Sequence, residues 1–374
     1  MRGISTHVIA LAMCPLLAAC GVLLSIDEAP AAPVVDDGGA DGPSAEGAAD
    51  GAEAGVSASD ACAMPATCAP ELVTTMSGSI VRLVVANNAL YAGVAGAKPS
   101  VFRIDLASPQ KPLDLDVAGV VPEELRADSN IAVEASGVVF WGTANGLRRR
   151  DADAAADASN DAGITTMSEL GAPVAGVRIA GGRLHYTVAG PNGGAGVNTG
   201  HLASCALPMC TDVQDVFYTP SPIDVIAIGG SRWWLGTDAT LTNLTFKSLN
   251  GPPPPSTEQL SPSRMVTDSS RIFWSTADAL RMYTVATNTL VDLVPAGGLS
   301  AGRVNGVVVD TDGALYVTQA KAVKRCTIAA DKCTFTELGA AASPAVDIAV
   351  DGTFVYWGNV DGTIMRLRKP KPKP

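Results

Sequence analysis

The chain has 374 residues and a formal net charge of −11 at pH 7, with 37 acids against 26 bases. Nine acids lie between residues 27 and 61 and four more, Asp151, Asp153, Asp157 and Asp161, in one Ala/Asp-rich insertion, so 24 acids face 26 bases elsewhere. A near-neutral body whose bases are not clustered with aromatics argues against a nucleic-acid surface.

One cation, Arg2, precedes an apolar stretch from Val8 to Ala19 that is too short for a resident membrane helix and suits the core of an export signal. It ends in Leu17-Ala18-Ala19-Cys20 followed by Gly21. This run resembles the lipobox of bacterial lipoproteins, in which small residues fit the signal peptidase and the cysteine thiol takes diacylglycerol. The resemblance implies a signal peptide over residues 1–19 and a lipidated Cys20 as the mature N-terminus. Two or three acyl chains would anchor stably where one is marginal. Gly21 is not the aspartate that retains lipoproteins in the inner membrane of well-studied envelopes, so the resemblance points to the outer membrane. Cys14 follows the bulky Met13 and is a poorer site; an ordinary secretory signal cut at a small-x-small site is the plainer alternative.

Residues 20–70 follow as a tether. From 27 to 61 they are almost wholly Ala, Gly, Asp, Glu, Ser, Pro and Val, which cannot bury enough apolar surface to offset chain entropy.

Strand-length β-branched and aromatic runs broken by Gly and Asp then recur, with no helical period. The cleanest copy runs Val346-Asp347-Ile348-Ala349-Val350-Asp351-Gly352-Thr353-Phe354-Val355-Tyr356-Trp357-Gly358-Asn359 and continues through Gly362-Thr363-Ile364-Met365-Arg366-Leu367-Arg368. Its aromatic position aligns Tyr91, Phe140, His185, Trp234, Phe273, Tyr316 and Tyr356, followed two residues on by Gly93, Gly142, Thr187, Gly236, Ser275, Thr318 and Gly358. The spacing is that of one four-stranded propeller blade with its loops. The last copy ends at Arg368 without a fourth strand, while Leu72-Val73-Thr74-Thr75-Met76 ahead of the first copy reads like one. The expectation is an all-β chain: a seven-bladed β-propeller over residues 71–369, closed by an N-terminal strand that completes the last blade, with a Lys-Pro tail over 370–374. Closure of this kind removes open sheet edges. Tyr356-Trp357-Gly358-Asn359 and its relatives resemble the Tyr-Trp-Thr-Asp class of propeller repeats found in receptor ectodomains and bacterial surface lipoproteins. Only Trp141, Trp274 and Trp357 keep the tryptophan.

Of the eight cysteines, Cys14 leaves with the signal and Cys20 is lipidated. The other six fall into three close couples, Cys62 with Cys68, Cys205 with Cys210 and Cys326 with Cys333. Even, close pairing on an exported chain argues for three local disulfides.

Chemistry is sparse. No His-Glu-x-x-His helix or phosphate-cradling loop is present. The histidines beyond the signal are His185, in the aromatic column and expected to be packed, and His201, opening a third strand. Glu134, Asp268, Asp310 and Asp351 recur near one point of their repeats. Four carboxylates from four blades could converge there on a calcium ion; as turn formers they have a simpler role. No catalytic constellation is visible, and no cofactor is expected. The expectation is a monomeric, non-catalytic binding or scaffold module, anchored to the membrane through lipid on the extracytoplasmic side, for an envelope protein or glycan. The alternative is a divalent-metal-dependent propeller hydrolase or lactonase using those four carboxylates. A quinone- or sugar-dependent dehydrogenase, which needs an axial histidine or arginine, is weaker still.

Overall fold

The computed structural model describes residues 69–97, 99–115, 130–151, 164–166, 172–188, 200–208, 210, 212–219, 222–228, 231–237, 243–249, 257–259, 265–276, 279–295, 297–299 and 302–370. The described residues form strands and turns and no helix. Cys20, the lipobox, the tether up to residue 68 with Cys62 and Cys68, and most of the Ala/Asp-rich insertion lie outside them.

Strand β1 (Glu71–Thr75) comes first. Sheet one follows as β2 (Ser79–Ala86), β3 (Ala89–Ala95), β4 (Ser100–Asp105) and β5 (Leu113–Asp114). Sheet two is β6 (Ile131–Val133), β7 (Val139–Thr143), β8 (Gly146–Arg150) and β9 (Ile164–Thr166). Sheet three is β10 (Val174–Ala180), β11 (Arg183–Val188), β12 (Gly200–Ala206) and β13 (Gln214–Thr219). Sheet four is β14 (Pro222–Ile228), β15 (Ser231–Thr237), β16 (Asn243–Leu249) and β17 (Thr257–Gln259). Sheet five is β18 (Met265–Thr267), β19 (Arg271–Ser275), β20 (Leu280–Thr284) and β21 (Thr289–Val294). Sheet six is β22 (Val304–Val309), β23 (Leu315–Gln319), β24 (Ala322–Ala329) and β25 (Lys332–Ala340). The seventh sheet holds β26 (Ala345–Val350), β27 (Phe354–Asn359) and β28 (Thr363–Arg368), and its fourth strand is β1, paired antiparallel with β28.

Each of the other sheets is a meander of four consecutive antiparallel strands. The first strand of each sheet touches the first strand of the next: β2 meets β6, β6 meets β10, and so on through β14, β18 and β22 to β26, which returns to β2. This is a β-propeller arrangement, with the first strands innermost.

The reason is legible in the strands themselves. Inner strands such as Ile131–Val133, and the Val307-Val308-Val309 end of β22, are apolar runs buried on both faces, as a strand enclosed on both sides must be. Outer strands alternate; β25 exposes Lys332, Thr334 and Thr336 while burying Leu338. The aromatic column packs between sheets, with Tyr91, Phe140, Trp234, Phe273, Tyr316 and Tyr356 all buried. A turn glycine fixes the join of β1 to the rest of its sheet. Gly362 has φ of +85°, its carbonyl accepts from the Met76 N–H at 2.9 Å, and a side chain there would collide with the Met76 carbonyl. Glu71 Oε2 accepts from Arg366 Nε at 2.9 Å.

The apolar interior is uneven. One continuous cluster runs through sheets one, six and seven and into sheets two and five, from Val73 and Ile80 to Trp357 and Leu367. Sheets two and three share a smaller cluster around Phe140 and Tyr186, and sheets four and five another around Trp233 and Trp274.

Candidate functional site

The inner strands carry charge where strand periodicity alone asks for apolar residues. Val346-Asp347-Ile348 and Ile223-Asp224-Val225 place an aspartate in the middle of a buried run, and Arg82 and Arg178 do the same in sheets one and three. All four side chains are essentially inaccessible.

Asp347 faces Arg82 of the neighbouring sheet, with Oδ2 at 4.0 Å from Nη1. Its carboxylate also accepts from the Leu83 N–H of sheet one at 2.7 Å and from the Ile348 N–H of its own strand at 2.6 Å. Asp224 of sheet four faces Arg178 of sheet three at 3.7 Å. Its other oxygen accepts from Asn130 Nδ2 of sheet two at 3.1 Å, and Arg178 Nη2 donates to the Met265 carbonyl of sheet five at 2.7 Å. Four sheets therefore meet in one polar cluster, two hydrogen bonds joined by the Arg178–Asp224 ion pair. Each aspartate is seated against a glycine of the preceding inner strand. A Cβ on Gly176 would lie 2.8 Å from Asp224 Cα, and one on Gly306 would lie 3.1 Å from Asp347 Cα. A charge buried this deeply is costly unless paired and hydrogen-bonded, and these two are held by partners of opposite charge.

The four recurrent carboxylates do sit at one point of their repeats, in the turn between first and second strands, and each is engaged there. Asp351 Oδ1 accepts from the N–H groups of Thr353 and Phe354, and Oδ2 accepts from the Tyr356 hydroxyl at 2.7 Å. Asp268 accepts from the N–H of Ser270 and Arg271 and is paired with the Arg271 guanidinium, which holds its carboxyl below the usual range against the opposing effect of burial. Both oxygens of Asp310 accept from Lys369 Nζ, at 2.8 and 2.7 Å. Glu134 Oε2 accepts from Ser136 Oγ, and its backbone closes the turn to Val138. The structure does not bring them together. Among the described residues, no group of three or more His, Cys, Asp or Glu side chains is placed to hold a metal ion.

His185 is buried on β11 opposite Arg178 and Ser204. Burial first, then the charges of Arg232 and Arg183, push its pKa down to about 4, so the ring is neutral at pH 7. His201 is half-buried on β12, at the level of Val188 and Tyr218. Tyr316, in the same column as His185, has its hydroxyl pushed up to about 12 by burial and then by Asp310.

Two cysteine couples are disulfides, Cys205–Cys210 and Cys326–Cys333. Cys210 lies ahead of the fourth strand of its sheet, whereas Cys333 stands inside β25.

No family model matches the chain, and no curated protein matches it. Solved structures do. The Dos1 propeller aligns at 11% identity with a TM-score of 0.55, covering 78% of this chain and 78% of that one. Virginiamycin B lyase from Staphylococcus aureus, crystallised in a catalytically inactive form with quinupristin, aligns at 12% identity and a TM-score of 0.55 over 81% of this chain and 99% of that one. The extracellular domain of BT4673 from B. thetaiotaomicron, assigned to a hybrid two-component system, aligns at 10% identity and a TM-score of 0.56, over 81% of this chain and 40% of that one. At such identities the likeness shows the fold alone, a β-propeller.

Proposed function

We propose that this chain is a membrane-anchored extracytoplasmic lipoprotein whose propeller acts as a non-catalytic binding or scaffold module for an envelope protein or glycan. In this reading the ring has seven blades, is closed by β1, and works as a monomer hung from Cys20 by residues 20–70, with the outer membrane as its address. The observation that carries it is the ionic cluster of the inner strands. Among the described residues, the charged side chains buried in the innermost strands are engaged with one another across the sheets: Arg82 with Asp347, and Arg178 and Asn130 with Asp224. Seven four-stranded sheets among the described residues and the β1–β28 ladder support the ring. Leu17-Ala18-Ala19-Cys20 and the acidic spacer support the anchor. Extracellular and catalytic propellers alike share this fold, so fold by itself does not decide between them. The metal-dependent hydrolase or lactonase alternative draws no support from Glu134, Asp268, Asp310 or Asp351, which are engaged in their own turns.

Mass spectrometry of the N-terminal peptide from a membrane fraction, beside a Cys20→Ser variant, tests the anchor. Acylated Cys20 and loss of the variant from the membrane are expected. Cross-linking on intact cells followed by a lactone and ester screen of the purified protein tests the module. Metal-dependent turnover in that screen would sink the non-catalytic reading.

A further inference from the structure

Sheets three and four meet through polar side chains. Among the described residues, the apolar cluster bridging them is Leu202, Val225 and Trp234, the smallest in the ring. On β11, Leu184 and Tyr186 pack into the cluster shared with sheet two, so strand alternation turns Arg183, His185 and Thr187 toward sheet four. On β15, Trp233 and Leu235 join the cluster shared with sheet five, while Trp234 packs against Leu202 of sheet three. Arg232, two residues before Trp234, therefore faces sheet three. Ser204, opposite His185 on β12, is buried in the same slot.

Arg183, Arg232 and Arg271 hold the same place in three successive sheets, two residues before the column positions His185, Trp234 and Phe273. Arg183 donates to Asp212 at 3.0 Å and to Ser204 Oγ at 3.4 Å, and Arg271 is paired with Asp268. Among the described residues no acid pairs with Arg232. The two turns beside it in its own sheet, residues 229–230 and 250–256, contain no Asp or Glu. Its guanidinium is held below the usual range, by burial first and then by the charge of Arg183. Deeper in the slot Arg178 faces Asp224, so the charge left uncompensated at this junction is that of Arg232. Between the two layers lies His185, only 4% exposed. Its ring bonds the Ala180 main chain, and of the charges around it Arg232 acts on it most strongly. Nδ1 has no partner. A neutral ring carries one proton, which the Ala180 bond uses, so Nδ1 is a bare acceptor.

We propose that Arg232, with Arg183 beside it and His185 as the floor, forms a binding site for a phosphate-type oxyanion that keeps an O–H group. The guanidinium fork of Arg232 matches two oxygens of such a group, and the O–H donates to His185 Nδ1. A half-buried cation without a counter-charge and a buried acceptor without a donor are both costly; one ligand satisfies both. Sulfate has no O–H, and the ring would have to gain a proton against burial and two arginines to meet it. Free phosphate and the phosphomonoester of a sugar or polyol share the required chemistry. The site stands whether or not Cys20 is acylated.

Calorimetric titration of the purified full-length protein with inorganic phosphate, glycerol 3-phosphate and sulfate, at constant ionic strength and about pH 6, where a phosphomonoester still keeps its proton in part, tests the site. Saturable binding of phosphate or glycerol 3-phosphate, about tenfold or more tighter than sulfate, is expected. The tighter of the two tells the free ion from the esterified group. Arg232→Gln should weaken that binding by about tenfold or more, and His185→Phe should abolish the preference over sulfate. Absence of saturable binding, equal binding of phosphate and sulfate, or unchanged affinity in a folded Arg232→Gln protein overturns the site, as does a folded His185→Phe protein that still prefers phosphate. The wild-type comparison of phosphate with sulfate decides the matter even where a variant does not fold.

Discussion

The ring is tied across its inner strands by two buried arginine–aspartate contacts that look alike and are built differently. At the junction of sheets seven and one, Asp347 is clamped by two main-chain N–H groups, from Leu83 and Ile348, inside the largest apolar cluster of the molecule. At the junction of sheets three and four, Asp224 is held by side chains, Asn130 and Arg178, where the apolar interior is divided into smaller clusters. Main-chain donors cannot turn away when a carboxylate is lost, whereas an asparagine can rotate to find another partner. The first contact is therefore a rigid joint and the second a compliant one.

Substitutions can break this comparison, and the largest effect belongs at the rigid joint. Asp347→Ala removes the carboxylate facing Arg82 and two main-chain bonds at once, and should cost about 3–5 kcal/mol in urea unfolding. Replacing the pair together, Arg82→Met with Asp347→Leu, should recover most of that loss, because a buried ion pair exchanged for apolar residues is often close to neutral. If the double variant is as unstable as Asp347→Ala, the joint depends on the main-chain bonds more than on the charge. Asp224→Ala should fall at the lower end, about 2–3 kcal/mol; a cost equal to that of Asp347→Ala would remove the distinction drawn here.

The compliant side also carries a pH dependence. The pKa of His185 is about 4 in the folded ring against 6.5 for an ordinary histidine. Below 6.5 the unfolded chain binds a proton that the folded one does not, so stability falls as pH drops and levels off near 4. The total loss is up to about 3 kcal/mol. His185→Phe, which installs an aromatic found elsewhere in the same column, should remove this dependence, so that the wild-type minus variant difference in urea unfolding falls over that window by the same amount. Smaller effects belong to the turn face. Lys369→Met should cost about 1–2 kcal/mol by leaving Asp310 without its ammonium. Tyr356→Phe, which removes one hydroxyl bond to Asp351, should cost about 1 kcal/mol, both read as shifts in the urea midpoint.

Much of the propeller is legible in the sequence because strand alternation, turn glycines and the aromatic column repeat at blade spacing. Boundaries moved slightly: the strand read over Leu72–Met76 lies at Glu71–Thr75. The recurrent Asp residues are legible as turn formers from Asp310-x-x-Gly313 alone. The inner-strand cluster is not legible from the aromatic column, which lies on the second strand and leaves the first strand readable only as an apolar run. Its signal was present: Asp224 and Asp347 are lone acids inside apolar strands, and such a residue must find a partner once buried. Which arginine serves which aspartate depends on how neighbouring sheets are rotated about the ring, and no local pattern encodes that.

The β1–β28 ladder joins residues 295 apart in sequence. A ribosome makes β1 long before its partner, so this strand must wait while the other sheets are made. Loop-closure entropy for so distant a contact is paid in one step, and proteins dominated by non-local pairings fold slowly. Until β28 is available, Leu72 and Val73 have no sheet to join, and the apolar faces of β2 and β26 lack each other. A nascent chain of this kind therefore keeps one sheet unfinished from the first strand made until β28 has been added.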